Sequence, residues 1–287
     1  MPTGAPAHNV ELPVLRLATL NVWGTRGDWS SRRPVLADEF TRLAPDLVTL
    51  QETMVTDDYD QAGDILGPGY RLVHQAGREP DGQGVTTASR WPVGDTLEVD
   101  LHLTERNRGF ASTTLVTEIL APEPIGRLWL ANHLPDWQLD HEHERCQQAV
   151  AAARVLERLV GERPGHVVVA GDLDADPDAD SIRFWTGRHP LDGLSVCYRD
   201  AWESAHGDQP GHTFVPDNPN SADWDWPFRR IDYVLVRTGQ HGGPTLAVQA
   251  CSRTFDQPET AVSDHYGLLV QLGTPDCLDA LEPATLR

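Results

Sequence analysis

A chain of 287 residues, 39% hydrophobic and 23% charged, can bury one large core, and a single domain is expected over 1–287 with loose tails at about 1–12 and 274–287. No apolar run approaches the roughly 20 residues of a helical membrane span, so none is expected. The formal net charge of −20, from 43 acidic and 23 basic side chains, disfavours a protein that grips nucleic acid through many phosphates, because that grip needs a basic face.

Residues 1–12 are rich in Pro and Ala and lack the basic and apolar regions of a secretion leader. The cysteines Cys146, Cys197, Cys251 and Cys277 are scattered without a C-x-x-C pair, so reduced thiols and a cytoplasmic location are expected. Val14–Asn21 reads as a strand that enters a Gly-bearing loop, V-W-G-T-R-G-D-W-S. Arg33–Leu43 sets Val35, Leu36, Phe40 and Leu43 near a 3.6-residue period, which predicts a helix closed by Pro45. Asp46–Gln51 is a second buried strand, and Asp57–Leu66 a short helix with an acidic first turn. The segments Tyr70–His74, Gly84–Ser89, Val93–Leu103 and Phe110–Ile119 are of β type, separated by turn signals such as Pro80-Asp81-Gly82 and Trp91-Pro92. Arg127–Asn132 is a further strand and His141–Leu159 a long Ala-rich helix with Gly161 just beyond it. Val167–Ala170 is a buried strand and Ser181–Trp185 a short helix. Gly207–Arg229 shows no periodicity and holds Trp224, Trp226 and Phe228, so a long ordered loop is expected there. Ile231–Arg237, Leu246–Arg253 and Gly267–Gln271 complete the strands.

Val167–Asp174 reads V-V-V-A-G-D-L-D, an apolar run that delivers two carboxylates past its carboxyl end. Leu15–Asn21, Leu47–Glu52 and Leu128–His133 likewise end in polar residues, and Asp232 and the pair Asp264-His265 follow late in the chain. Each end alone is an ordinary turn or core residue. Together they would concentrate negative charge at one rim, which is stable only beside a cation. Hard oxygen donors point to Mg²⁺ or Mn²⁺. An EF-hand loop starting at Asp172 is rejected, since its sixth and twelfth positions are Pro177 and Arg183 instead of Gly and Glu.

Six motifs occur in order: T-L-N-V-W-G at Thr19–Gly24, L-Q-E at Leu50–Glu52, A-N-H-L at Ala131–Leu134, G-D-L-D-A at Gly171–Ala175, R-R-I-D-Y at Arg229–Tyr233 and S-D-H at Ser263–His265. With Arg145 and Gln148 as an R-x-x-Q pair, the chain resembles the endonuclease/exonuclease/phosphatase (DNase I-like) superfamily, which includes nucleases, sphingomyelinases and inositol polyphosphate phosphatases. The resemblance implies a four-layer α/β sandwich of two mainly antiparallel sheets with helices outside. It implies Glu52 as principal Mg²⁺ ligand with Asn21 and Asp264 beside it, and Asp172 as the group that orients or deprotonates the attacking water. His265, held by Asp232, and His133 would face the phosphoryl oxygens, and Arg108 would contact substrate.

Two departures stand out. The family usually has G-D-x-N, and Asp174 occupies the Asn position; an ionised carboxylate accepts where the amide donates. Gln83 stands where a glutamate is frequent. The expected activity is metal-dependent hydrolysis of a phosphate ester on a small molecule or lipid headgroup, with Trp224 and Trp226 as substrate-binding candidates. A nuclease, a repurposed acid–base enzyme signalled by Asp174, and a non-catalytic binder are the alternatives.

Overall fold

The computed structural model describes residues 14–222, 225–239 and 242–275. Of the expected tails, 1–12 and 276–287 lie outside the described residues, as does Trp224. In chain order the elements are β1 (Leu15–Asn21), α1 (Trp29–Leu43), β2 (Leu47–Met54), α2 (Gln61–Leu66), β3 (Arg71–His74), β4 (Gln83–Ser89), β5 (Val93–Asp100), β6 (Thr113–Leu120), β7 (Arg127–Leu134), α3 (Glu142–Glu162), β8 (His166–Asp172), α4 (Asp180–Trp185), β9 (Tyr198–Asp200), α5 (Ala201–His206), β10 (Asp232–Arg237), β11 (Ala247–Thr254) and β12 (Gly267–Gly273).

The strands form two six-stranded sheets, ordered β11-β12-β1-β2-β4-β3 and β5-β6-β7-β8-β10-β9. All neighbours are antiparallel except the central pairs β1 with β2 and β7 with β8, which are parallel. Each parallel pair encloses a helix, α1 or α3, because a parallel return needs a crossover. The two orders are one order offset by six strands, so the chain repeats a strand plan that its sequence does not show.

Period-two alternation assigns the faces. Leu15 and Leu17 of β1, Leu128 and Leu130 of β7, Val168 of β8 and Val234 of β10 meet in the core between the sheets. Their neighbours face the helices: Ala18 and Leu20 pack with Leu36 and Phe40 of α1, and Trp129 and Val167 with Ala153 and Leu156 of α3. The result is helix, sheet, sheet, helix, the expected sandwich. No helix among the described residues is long and apolar enough to cross a membrane.

Several boundaries differ from expectation for local reasons. α1 begins at Trp29 because the Asp28 carboxylate accepts the Ser31 N–H at its start. α2 begins only at Gln61, capped by Asp60, whose side chain accepts from Gly63 N at 3.0 Å. β9, three residues long, and α5, six residues long, are too short for any period to register.

Candidate active site

The same alternation that builds the inner core carries polar side chains to its open end. Beyond Leu17 and Thr19, β1 delivers Asn21; beyond Val168 and Ala170, β8 delivers Asp172; β10 starts at Asp232. The Asn21 amide joins the sheets, donating to Glu52 Oε1 at 3.1 Å and to Asp172 Oδ2 at 2.9 Å. Below it, Gln51 Nε2 donates to Asn132 Oδ1 at 2.7 Å, a second buried bridge between β2 and β7. Glu52 breaks the alternation: its φ is 55°, within a register shift between Leu50 and Thr53, and the carboxylate lines the cavity instead of following Leu50 outward. Trp23 (φ 58°) and Asp174 (φ 50°) are also left-handed, so strained backbone clusters at this rim.

His265 Nδ1 lies 3.0 Å from Asp232 Oδ2, and its Nε2 lies 3.7 Å from Asp172 Oδ2. Thr213 Oγ1 accepts from the Ile231 and Asp232 amides at 3.2 and 3.3 Å, fixing the start of β10. Ser263 Oγ donates to Asn21 O at 2.6 Å and accepts from His265 N at 3.2 Å, which ties the S-D-H segment to β1. Burial works against the His265 charge, yet Asp232, Asp172 and Asp264 outweigh it and hold its pKa well above the ordinary 6.5. Burial pushes Asp172 well above the carboxylate range, with Asp174 adding to the shift, and carries Asp174 to about 7 and Asp264 to about 6.

These groups open onto a cavity of about 650 Å³ lined by Glu52, Asp172, Asp174, Asp264 and His265 on one side of the chemistry and by Trp23, Phe110, Trp137, Phe214 and Trp226 on the other. Trp226, from the long loop, is among the lining residues. Arg108 is not: its guanidinium pairs on the surface with Glu105 at 2.7 Å, and Phe110, two residues on, enters the cavity instead. His133 does not line the cavity either. Alternation in β7 turns it with Trp129 and Ala131 toward the helices, where Nδ1 meets Thr114 Oγ1 at 2.7 Å, the ring stands edge-on to Trp185, and burial lowers its pKa to about 3. Asp232 supports His265 from below and is itself fully buried.

Arg26 was not singled out from the sequence. Its Nη1 donates to Glu52 Oε2 and its Nη2 to Gln83 Oε1, the latter at 2.8 Å. The buried Arg32 holds this loop by donating to Val22 O at 3.1 Å and Gly24 O at 3.0 Å. Arg145 and Gln148 hold another: Arg145 Nη1 donates to Asp136 O and Gln138 O at 3.0 and 2.7 Å, and Gln148 Oε1 accepts from Asp136 N at 3.1 Å, presenting Trp137. Trp137 follows A-N-H-L by three residues, a signal that proximity to the motif offered.

The donor set suits a hard divalent cation. Glu52, Asn21 and Asp264 would offer only oxygen ligands, and the positively charged guanidinium already resting on Glu52 marks a position that favours positive charge. Among the described residues, ligand atoms of Asp172, Asp232 and His265 also lie within 4.8 Å of one another. In that second group the imidazole Nδ1 is committed to Asp232, and the surrounding carboxylates favour its charged form, which suits a hydrogen-bond relay.

Human sphingomyelin phosphodiesterase 2 is 25% identical to this chain over 292 residues, covering 90% of it; the chain spans 64% of that relative's length. Among solved structures, an endonuclease/exonuclease/phosphatase from Bacteroides vulgatus superposes with a TM-score of 0.72 at 19% identity, over 91% of this chain and 99% of that one. TDP2 from Caenorhabditis elegans gives 0.71 at 20% over 91% and 74%, and the human Nocturnin catalytic domain 0.69 at 17% over 92% and 95%. These likenesses show a shared DNase I-like fold. The family model described as Endonuclease/Exonuclease/phosphatase family matches residues 18–265, from β1 to His265, and the chain belongs to that family.

Proposed function

We propose that the protein is a divalent-metal-dependent phosphodiesterase acting on a small-molecule or lipid-headgroup ester. The observation that carries this reading is the line Asp232, His265, Asp172, Asn21, Glu52, in which each side chain faces the next at the head of one cavity. Glu52, Asn21 and Asp264 would hold a Mg²⁺ or Mn²⁺ ion, which when bound would supply Lewis-acid polarisation of the phosphoryl group. Asp172, steered by the Asn21 amide, orients the attacking water; in its ionised form, which the His265 charge and a bound cation favour against burial, it takes the water's proton. The His265 imidazolium, kept charged by Asp232, donates to a phosphoryl oxygen as negative charge builds there.

Asp174 replaces the family's asparagine, and with its pKa near 7 its protonated form is populated at neutral pH and donates as the amide would. His133 and Arg108 have no part in this scheme. The sphingomyelin phosphodiesterase relative supports a lipid-headgroup ester, and a TDP2 structure complexed with single-strand DNA product keeps a nuclease as the second reading. Arg26 is the sole cationic side chain among the described cavity-lining residues besides His265, which favours the first. A cytoplasmic setting belongs to the same reading and is supported by the free thiols of Cys146, Cys197 and Cys251.

The test is hydrolysis of bis(p-nitrophenyl) phosphate and p-nitrophenyl phosphate with Mg²⁺, Mn²⁺ or EDTA. Diester turnover that EDTA abolishes is expected, and Asp172→Asn and His265→Ala should each lower it by at least about 100-fold while the circular dichroism spectrum is unchanged. Wild-type rates in either variant would remove the mechanism.

A further inference from the structure

We infer that the aromatic wall of the cavity is a subsite for a fully substituted ammonium group on the substrate, so that the enzyme prefers diesters of the phosphocholine type. This rests on the phosphodiesterase reading and names its substrate class.

Trp137 and Trp226 stack at 5.9 Å with their planes 21° apart, Phe214 lies 6.0 Å from Trp226, and His265 lies 5.3 Å from Phe214. An unbroken aromatic surface thus runs from the cavity mouth, where Trp137 is 41% exposed, to the imidazole at the reacting phosphorus. A half-exposed tryptophan is costly to hold still, yet this one is held. Its loop is fastened through Asp136 and Gln138 to Arg145 and Gln148 of α3, and Ser112 Oγ donates to Asp136 Oδ1 at 2.8 Å, joining the Phe110 segment to it. The Trp226 loop is tied to the catalytic segment by Asn218 Nδ2, which donates to Ser263 O at 2.9 Å. The wall is therefore positioned before any ligand arrives, which lowers the ordering cost of binding.

The chemistry of the lining selects the ligand. Aromatic faces attract cations, and quaternary ammonium groups are the cations most suited to them because they need no hydrogen-bond acceptor. The same cavity holds four carboxyl groups, of Glu52, Asp172, Asp174 and Asp264, against two cationic side chains, Arg26, already paired with Glu52, and His265, paired with Asp232. A cationic group gains from both the rings and this field. A nucleobase could stack on the wall as well, but it carries no charge and gains nothing from the carboxylates' field, whereas an ammonium gains from both. In a phosphocholine diester the ammonium lies a two-carbon arm from phosphorus, which matches a wall that begins at the ring touching His265.

The experiment compares p-nitrophenyl phosphocholine with p-nitrophenyl 3,3-dimethylbutyl phosphate, its uncharged carbon isostere, using the full chain with Mg²⁺. A kcat/KM preference of about tenfold for the choline ester is expected, arising mainly in KM. Trp137→Leu and Trp226→Leu should draw the ratio toward one, and Trp137→Phe should restore most of it. Equal rates on the two esters, with bis(p-nitrophenyl) phosphate still hydrolysed, would overturn the ammonium subsite and leave the phosphodiesterase reading standing. If no ester is turned over with any metal, the phosphodiesterase reading fails, and quenching of tryptophan fluorescence by phosphocholine decides the subsite separately: saturable quenching supports it and none overturns it. Glycerophosphocholine and a choline phospholipid in mixed micelles then distinguish a soluble from a lipid source, release from either supporting the subsite and release from neither overturning it.

Discussion

Asp174 sits in the left-handed region at φ 50°, which Asn and Asp tolerate better than other side chains, so the backbone accepts the family's asparagine or this aspartate equally. What differs is the charge, and burial, by raising the Asp174 pKa to about 7, favours the neutral form. Arg26 shows a comparable economy of charge. Its pairing with Glu52 satisfies the carboxylate oxygen that Asn21 does not reach, and a metal ion bound there would have to displace it. Arg26→Ala should therefore tighten Mg²⁺ binding by about threefold, the worth of a half-exposed ion pair, in calorimetric titration. Weaker binding in the variant would mean that Arg26 helps to form the metal site.

At the scale of the element, β7 and β8 decide what reaches the site. Gly171 brings β8 so close to β7 that an added Cβ would meet the His133 carbonyl at 2.1 Å, a backbone atom that cannot swing away. Gly171→Ala is expected to cost on the order of 3 kcal/mol in urea unfolding and to displace Asp172, with loss of activity. A melting curve matching wild type would show that the strands can part. His133, turned from the cavity by strand alternation, instead gives β7 a pH dependence. Its folded pKa of about 3 is below the ordinary 6.5, so the unfolded chain binds the proton first as pH falls. Stability is complete above 6.5 and is lost as pH drops from there toward 3. Between pH 7.5 and 5 the wild type should lose about 2 kcal/mol more than His133→Gln, measured by urea unfolding in EDTA. Parallel pH profiles would place a charge on the buried ring.

For the whole molecule, the repeated strand plan matters because neither half contains the site. Asn21 and Glu52 come from β1 and β2 of one sheet, and Asp172 and Asp232 from β8 and β10 of the other. Packing the sheets brings buried carboxylates together, and burial has already pushed three of them upward, so their ionised forms weaken the fold. A cation should reverse this. At a Mg²⁺ concentration of about 100 times Kd the gain is about 2.7 kcal/mol, or roughly 5–10 °C in Tm for a domain of this size. Identical melting in Mg²⁺ and in EDTA would show that the carboxylates hold no ion.

The succession of strands along the chain apart from β9, the long helix α3, and the polar residues ending β1, β2, β7 and β8 were legible in the sequence, because apolar periodicity and motif spacing are local properties of the chain. So was the family, since its six motifs are short runs at strand ends. Which of those residues meet was decided only by the tertiary structure. His133 and Asn132 are adjacent in one motif, yet alternation sends one to the helices and the other to the interior, and only the packing of the second sheet makes the interior face the one that matters. Arg108 carried a charge suited to phosphate, but the turn before β6 leaves it on the surface and turns Phe110 inward. The aromatic wall shows the same limit most fully. Phe110, Trp137, Phe214 and Trp226 come from three separated loops, and no spacing along the chain records that their rings share one cavity. Their meeting is a long-range packing outcome, set by buried side chains such as Arg145, Gln148 and Asn218 that fasten those loops to the two sheets.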